Sequence, residues 1–75
     1  MEARTTEELL AAIRNAAWMV RHYQLQRGEY GKIRRAQAIL VLGHLVRDGF
    51  SRSEDYESLL GAVVDGLRPK DSQPF

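Results

Sequence analysis

The sequence predicts an all-α, three-helix bundle-like domain that homodimerisation completes. Three observations carry this. Apolar residues recur at helical spacing in three separate stretches. No stretch alternates β-branched and aromatic residues, and no Asn-Gly or Asp-Gly pair separates two such runs. The breaks between stretches fall at Gly28, Gly49 and Pro69.

At 75 residues the chain reads as one domain, residues 1–75, with little surface to hide. A core of that size leaves a margin of about 3–5 kcal/mol unless something staples it. Cysteine is absent, so disulfides, thiolate metal sites and thiol nucleophiles are excluded. His22 and His44 are the two histidines, and they cannot complete a structural zinc site alone. Oligomerisation is the staple that remains, which is why a homodimer is expected.

The first helix is expected over about residues 5–27. Thr5-Thr6-Glu7-Glu8 reads as a capping box, with the Thr5 hydroxyl on a helix amide and Glu8 reaching back. Leu9, Ile13, Ala16, Val20 and Tyr23 follow one stripe, widened by Leu10 and Ala17. Gly28 supplies the stop.

The second helix is expected over about residues 30–48. Gly49 would take the left-handed conformation just past its end, with Phe50 packing back on Leu45. From Ala38 to Val46 the pattern is apolar on nearly every side, interrupted by Gly43 and His44. A helix apolar all round is buried all round. This helix is therefore expected at the centre of the core. Ile39, Leu40, Leu42, Leu45 and Val46 are its core or dimer residues, because two short neighbours could not cover them all.

The third helix is expected over about residues 53–67. Ser51-Arg52-Ser53-Glu54 offers a second capping box, and Asp55 and Glu57 suit the positive end of a helix dipole. Tyr56, Leu59, Leu60, Val63, Val64 and Leu67 form the cleanest amphipathic pattern in the chain. Pro69 ends it, and the tail 69–75 is expected to fray.

No constellation for catalysis emerges. Gly28-Glu29-Tyr30-Gly31-Lys32 has glycines and a lysine but lacks the spacing, the following Ser or Thr and the preceding strand of a phosphate-binding loop. Helix starts account for the acidic pairs Glu7/Glu8 and Glu54/Asp55. His22 reads as a surface residue in a basic patch. His44 reads as a histidine buried with a hydrogen bond or held at a helix or subunit contact. No catalytic residue, cofactor or metal site is expected. The longest apolar run, residues 38–43, is far short of the roughly 20 residues a membrane span needs. An acidic start where a secretory signal would be basic points to the cytoplasm.

Net charge is +1, but the charges are segregated. Arg21, Arg27, Lys32, Arg34 and Arg35 face one acid, Glu29, in the middle of the chain. Asp48, Glu54, Asp55, Glu57 and Asp65 face Arg52 alone later on. Trp18 lies off the main stripe, in line with Ala11, Arg14, Arg21 and Leu25. Two readings of Trp18 stand: the rim of a partner site, or a second buried face against another subunit. The cations of the turn have three. They bind phosphate, they meet an acidic protein or a second copy, or they are solvated, with Arg34 or Arg35 pairing with Asp55 or Glu57. The expected function is a small protein–protein interaction module in a regulatory or accessory role. Its partner-binding residues are Trp18, Arg21, Arg27, Lys32, Arg34 and Arg35. The alternative is a nucleic-acid-binding accessory protein using the basic turn.

Overall fold

A computed structural model describes residues 5–52 and 54–68. Helices α1 (Thr6–Gln24), α2 (Glu29–Ser51) and α3 (Tyr56–Leu67) follow one another, and no strand occurs among the described residues. The capping box forms as the sequence predicts. The Thr5 hydroxyl accepts from the Glu8 N–H at 3.1 Å, and the Glu8 carboxylate accepts from the Thr5 N–H at 3.0 Å. The first helix stops three residues short of expectation, at Gln24, with Leu25 as its C-cap. Gly28 is still the punctuation, but it opens the next helix instead of closing the first. Its φ of 94° places it in a region where a side chain would be strained.

The centre of the core is α1, not α2. Helices α2 and α3 each pack along α1 and scarcely touch each other. Leu9, Ile13 and Ala16 of α1 meet Leu45 of α2 and Leu59 and Ala62 of α3 in one buried cluster. The expectation of a central α2 fails for a simple reason. Being apolar on every side makes a helix costly to expose, but does not supply neighbours to cover it. Helix α1 has the wider covered face, because Ala16 and Ala17 are both buried beside the Leu9–Ile13 stripe. Two helices can seat on it side by side. The radius of gyration is 12.7 Å, against about 11 Å for a closely packed chain of this length.

Small residues set how closely the helices approach. A Cβ on Gly66 would run into the backbone carbonyl of Arg14 and the Ala17 side chain. Helix α3 therefore rests directly on the α1 backbone. Gly49 does similar work. A Cβ there would lie 2.6 Å from the Leu59 Cδ2 atom. This corrects the sequence reading of Gly49 as a helix stop. It is helical and buried, and α2 continues to Ser51. Phe50 consequently points outward instead of packing on Leu45. It is 52% exposed and stacks on Tyr56, with ring centroids 5.9 Å apart.

The second capping box does not form as expected. Ser51 is the last residue of α2, Ser53 lies outside the described residues, and α3 begins after Asp55. The Asp55 carboxylate accepts from the Ser58 hydroxyl at 2.9 Å. Glu54 ties the turn together instead. Its N–H donates to the Gly49 carbonyl at 3.0 Å, and its carboxylate accepts from the Thr6 hydroxyl at 3.0 Å. The start of α1 is thereby fastened to the α2–α3 connection. Arg52 sits between Asp48 and Glu54, at 3.8 and 3.9 Å. The tail 69–75, with the Pro69 stop, lies outside the described residues.

The core is thin enough for single substitutions to decide folding. Ile13→Ala should cost about 2–5 kcal/mol, against a total margin of about 3–5 kcal/mol for a domain of this size. Urea titration followed by circular dichroism should find that variant largely unfolded. Gly66→Ala should destabilise by about 1–3 kcal/mol through overpacking. Gly61→Ala, whose new methyl meets nothing within 4 Å, should instead stabilise by about 0.5–1 kcal/mol.

Candidate interaction surface

Helix α2 carries two seams on opposite sides. Gly31, Arg35, Ala38, Leu42, Leu45 and Gly49 recur at alternating steps of four and three, and all are buried or half-buried. This is the covered side of α2: Leu42 and Leu45 meet the core, Gly31 lies against Gln26 of the α1–α2 connection, and Gly49 lies against Leu59 of α3. Glu29, Ile33, Ala36, Leu40, Gly43, Arg47 and Phe50 recur at the same steps, and every one is exposed. Ile33 is 56% exposed and Leu40 64%. A Cβ on Gly43 would meet nothing within 4 Å. The outer seam thus has the spacing and the apolar character of a helix-packing face, with no helix on it.

The residues named from sequence as core or dimer positions divide accordingly. Leu45 is buried, and Leu42 and Val46 are half-buried against the core. Leu40 belongs to the outer seam, and Ile39, at 50% exposed, flanks it. The core role fails for Ile39 and Leu40 because both point away from α1. His44, read from sequence as buried or at a contact, is exposed in the isolated chain. A second apolar stripe, Tyr56, Leu60, Val64 and Leu67, lies exposed along α3. The sequence pattern places those positions on the core face with Leu59 and Val63. Leu59 is buried and Val63 packs against the core, and Ala62 and Gly66 complete the buried face in place of the other four.

The residues named for partner binding do not form one patch of free cations. Trp18 is half-buried and stacks on His22, with centroids 4.9 Å apart and an interplanar angle of 10°. His22 also meets Tyr23 edge-on at 5.1 Å. One aromatic cluster therefore occupies the last turns of α1, beside half-buried Arg21. Arg34 lies over the Tyr30 ring, 4.9 Å from its centroid. Lys32 lies 3.7 Å from Glu29. Arg27 is exposed in the α1–α2 loop, and Arg35 is half-buried on the inner seam. Neither Arg34 nor Arg35 pairs with an acid among the described residues, so the suggested pairing with Asp55 or Glu57 does not occur. Asp55 and Glu57 begin α3, at the far end of α2 from the basic turn.

An open groove of about 210 Å³ runs between α1 and α2. Met19, Tyr23, Arg34, Gln37 and Val41 line it. Its wall is mostly apolar, with one guanidinium and one amide at the edge. Among the described residues, no group of three or more His, Asp or Glu side chains could hold a metal ion. No described helix is long and apolar enough to cross a membrane.

No known family model, curated protein or solved structure matches this chain. The surface has to be read from its own chemistry.

The two seams of α2 predict opposite sensitivities in dilute solution. Leu45→Ala should cost about 2–5 kcal/mol. Leu40→Gln should stay within about 0.5 kcal/mol of the parent chain. Chemical denaturation at low protein concentration separates them.

Proposed function

We propose that this protein is a small protein–protein interaction module with a regulatory or accessory role and no catalytic activity. It works as a homodimer in the cytoplasm. The carrying observation is the balance of apolar side chains. Leu9, Ile13 and Leu59 are the large side chains buried fully. Ile33, Leu40, Val41 and Phe50 on α2 and Tyr56, Leu60 and Val64 on α3 are all close to half exposed or more. Exposed apolar surface of that extent on two helices favours a role in association. Its burial would also supply the stabilisation that a core of this size lacks.

The charges support a protein partner over nucleic acid. Net charge is +1, well short of the basic excess typical of phosphate-tracking domains. Lys32 has Glu29 beside it, and Arg34 is laid over Tyr30. Trp18, Arg21 and the exposed Arg27 border the same end of the α1–α2 hairpin. They fit the rim of a contact with an acidic protein, where charge guides encounter and sets orientation.

Sedimentation equilibrium tests the self-association. The expected mass rises with concentration from the 8.6 kDa of one chain to twice that value. A single mass at every concentration refutes the homodimer. Titration with duplex and single-stranded DNA and RNA at low salt, read by Trp18 fluorescence, should show no binding. Binding that weakens steeply with added salt would reverse the ranking in favour of nucleic acid. Affinity capture with the parent chain and with a Trp18→Ala, Arg34→Glu, Arg35→Glu variant tests the rim. A bound protein retained equally by both removes these residues from the contact.

A further inference from the structure

The outer seam of α2 specifies its own occupant. We propose that it pairs with the same seam of a second copy, antiparallel, around a two-fold axis between Ala36 and Leu40. The proposal deepens the interaction reading above and rests on it. It adds the face, the direction and the register.

The argument starts from side-chain size. Along the seam, bulky and small residues alternate: Ile33, Ala36, Leu40, Gly43. In an antiparallel helix pair, each layer joins the two kinds of seam position, one from each chain. Sliding the copies so that Leu40 meets Ala36 of the second copy also sets Ile33 against Gly43 of the second copy. Every apolar layer then joins one large and one small side chain. Large against small is how facing surfaces interdigitate without voids. The small residues also allow the axes to approach to the near end of the usual 8–10 Å or closer.

The same register decides the ends. Glu29 falls opposite Arg47 of the second copy, and Arg47 opposite Glu29 of the second copy. Opposite charges therefore close both ends of the seam. Arg47 has no acidic partner within its own chain among the described residues, and Glu29 has only the exposed Lys32 at 3.7 Å. A parallel pair does the reverse. It sets Glu29 against Glu29 and Arg47 against Arg47, stacks Leu40 on Leu40 and leaves a gap at paired Gly43. Size and charge thus choose the antiparallel direction independently. From Glu29 to Arg47 the seam is about 27 Å long at about 1.5 Å per residue, five turns of continuous contact. Ile39, half exposed beside the seam, adds apolar area to its flank.

The natural absence of cysteine makes the register directly testable. Ile33→Cys and Gly43→Cys chains are prepared separately and mixed in a glutathione redox buffer. The expected result is a disulfide-linked dimer in the mixture and none in either variant alone. In the antiparallel register, residue 33 meets residue 43 of the other copy, while identical positions lie about 15 Å apart along the axis. Self-linking of either variant would overturn the antiparallel register. A dimer seen by sedimentation, with no mixed disulfide, would place the contact on another face and leave the interaction reading standing. A chain that stays monomeric would refute the seam together with self-association. Charge reversal gives a second readout without cysteine. Glu29→Arg and Arg47→Glu should each weaken the dimer several-fold, and the doubly reversed chain should recover most of the parent affinity. No recovery would remove the Glu29–Arg47 contact from the register. All four positions are exposed in the isolated chain, and circular dichroism of each variant separates lost pairing from lost folding.

Discussion

Helix α1 is covered on two sides, and the contact on the α3 side leaves no room for adjustment. Gly66 rests on the carbonyl of Arg14 and on Ala17, with no space for a methyl between them. On the other side, α2 contributes Leu45 to the core, with Leu42 and Val46 packed against it. A helix flanked so closely shares its buried stripe with both neighbours at once. Leu9 and Ile13 thereby reach zero exposure in a chain of this size. The cost falls on the opposite faces of α2 and α3. These helices give Leu45 and Leu59 to the core and leave Leu40, Val41, Leu60 and Val64 outside. The exposed seam is therefore the geometric complement of the core.

Much of this arrangement is legible in the sequence. The three helices, their order and the Thr5–Glu8 box follow from periodicity and from the chemistry of free helix amides. The stripe through Leu9, Ile13 and Ala16 is the buried one. What escapes is which helix lies in the middle. Hydrophobic pattern weights the bulky side chains, and those favour α2. The residues that seat α3 on α1 are Ala17 and Gly66, whose contribution is the absence of volume. Gly49 shows the ambiguity most clearly. Followed by Phe50, it satisfies every local sign of a helix end, yet packing against Leu59 keeps it helical. Tertiary contact overrides local preference there, and the turn moves three residues downstream.

The interaction surface is half legible. That α2 has more apolar area than one small chain can cover follows from the run between Ala38 and Val46. That the excess lies on a second seam with its own four-and-three spacing becomes visible only once burial separates the two sides. The basic turn is the reverse case. Its residues are conspicuous in sequence, and side-chain geometry disperses them. Lys32 turns to Glu29, Arg34 to Tyr30 and Arg35 toward the core side. Their shared position near the start of a helix does not make them a single charged cluster. Trp18 likewise gains a local partner, the His22 ring, that spacing alone does not reveal.

The order of the helices along the chain has a consequence for biosynthesis. Helix α1 precedes both elements that cover it. During translation its apolar stripe leaves the ribosome with nothing to pack against. Roughly forty residues separate the end of α1 from the end of α3, about 2–8 s at about 5–20 residues per second. For that interval Leu9 and Ile13 are open to chaperones or to neighbouring nascent chains. The hydrogen bond from Thr6 to Glu54 closes only after the α2–α3 turn has emerged. The helix made first is thus among the last parts of the molecule to become native.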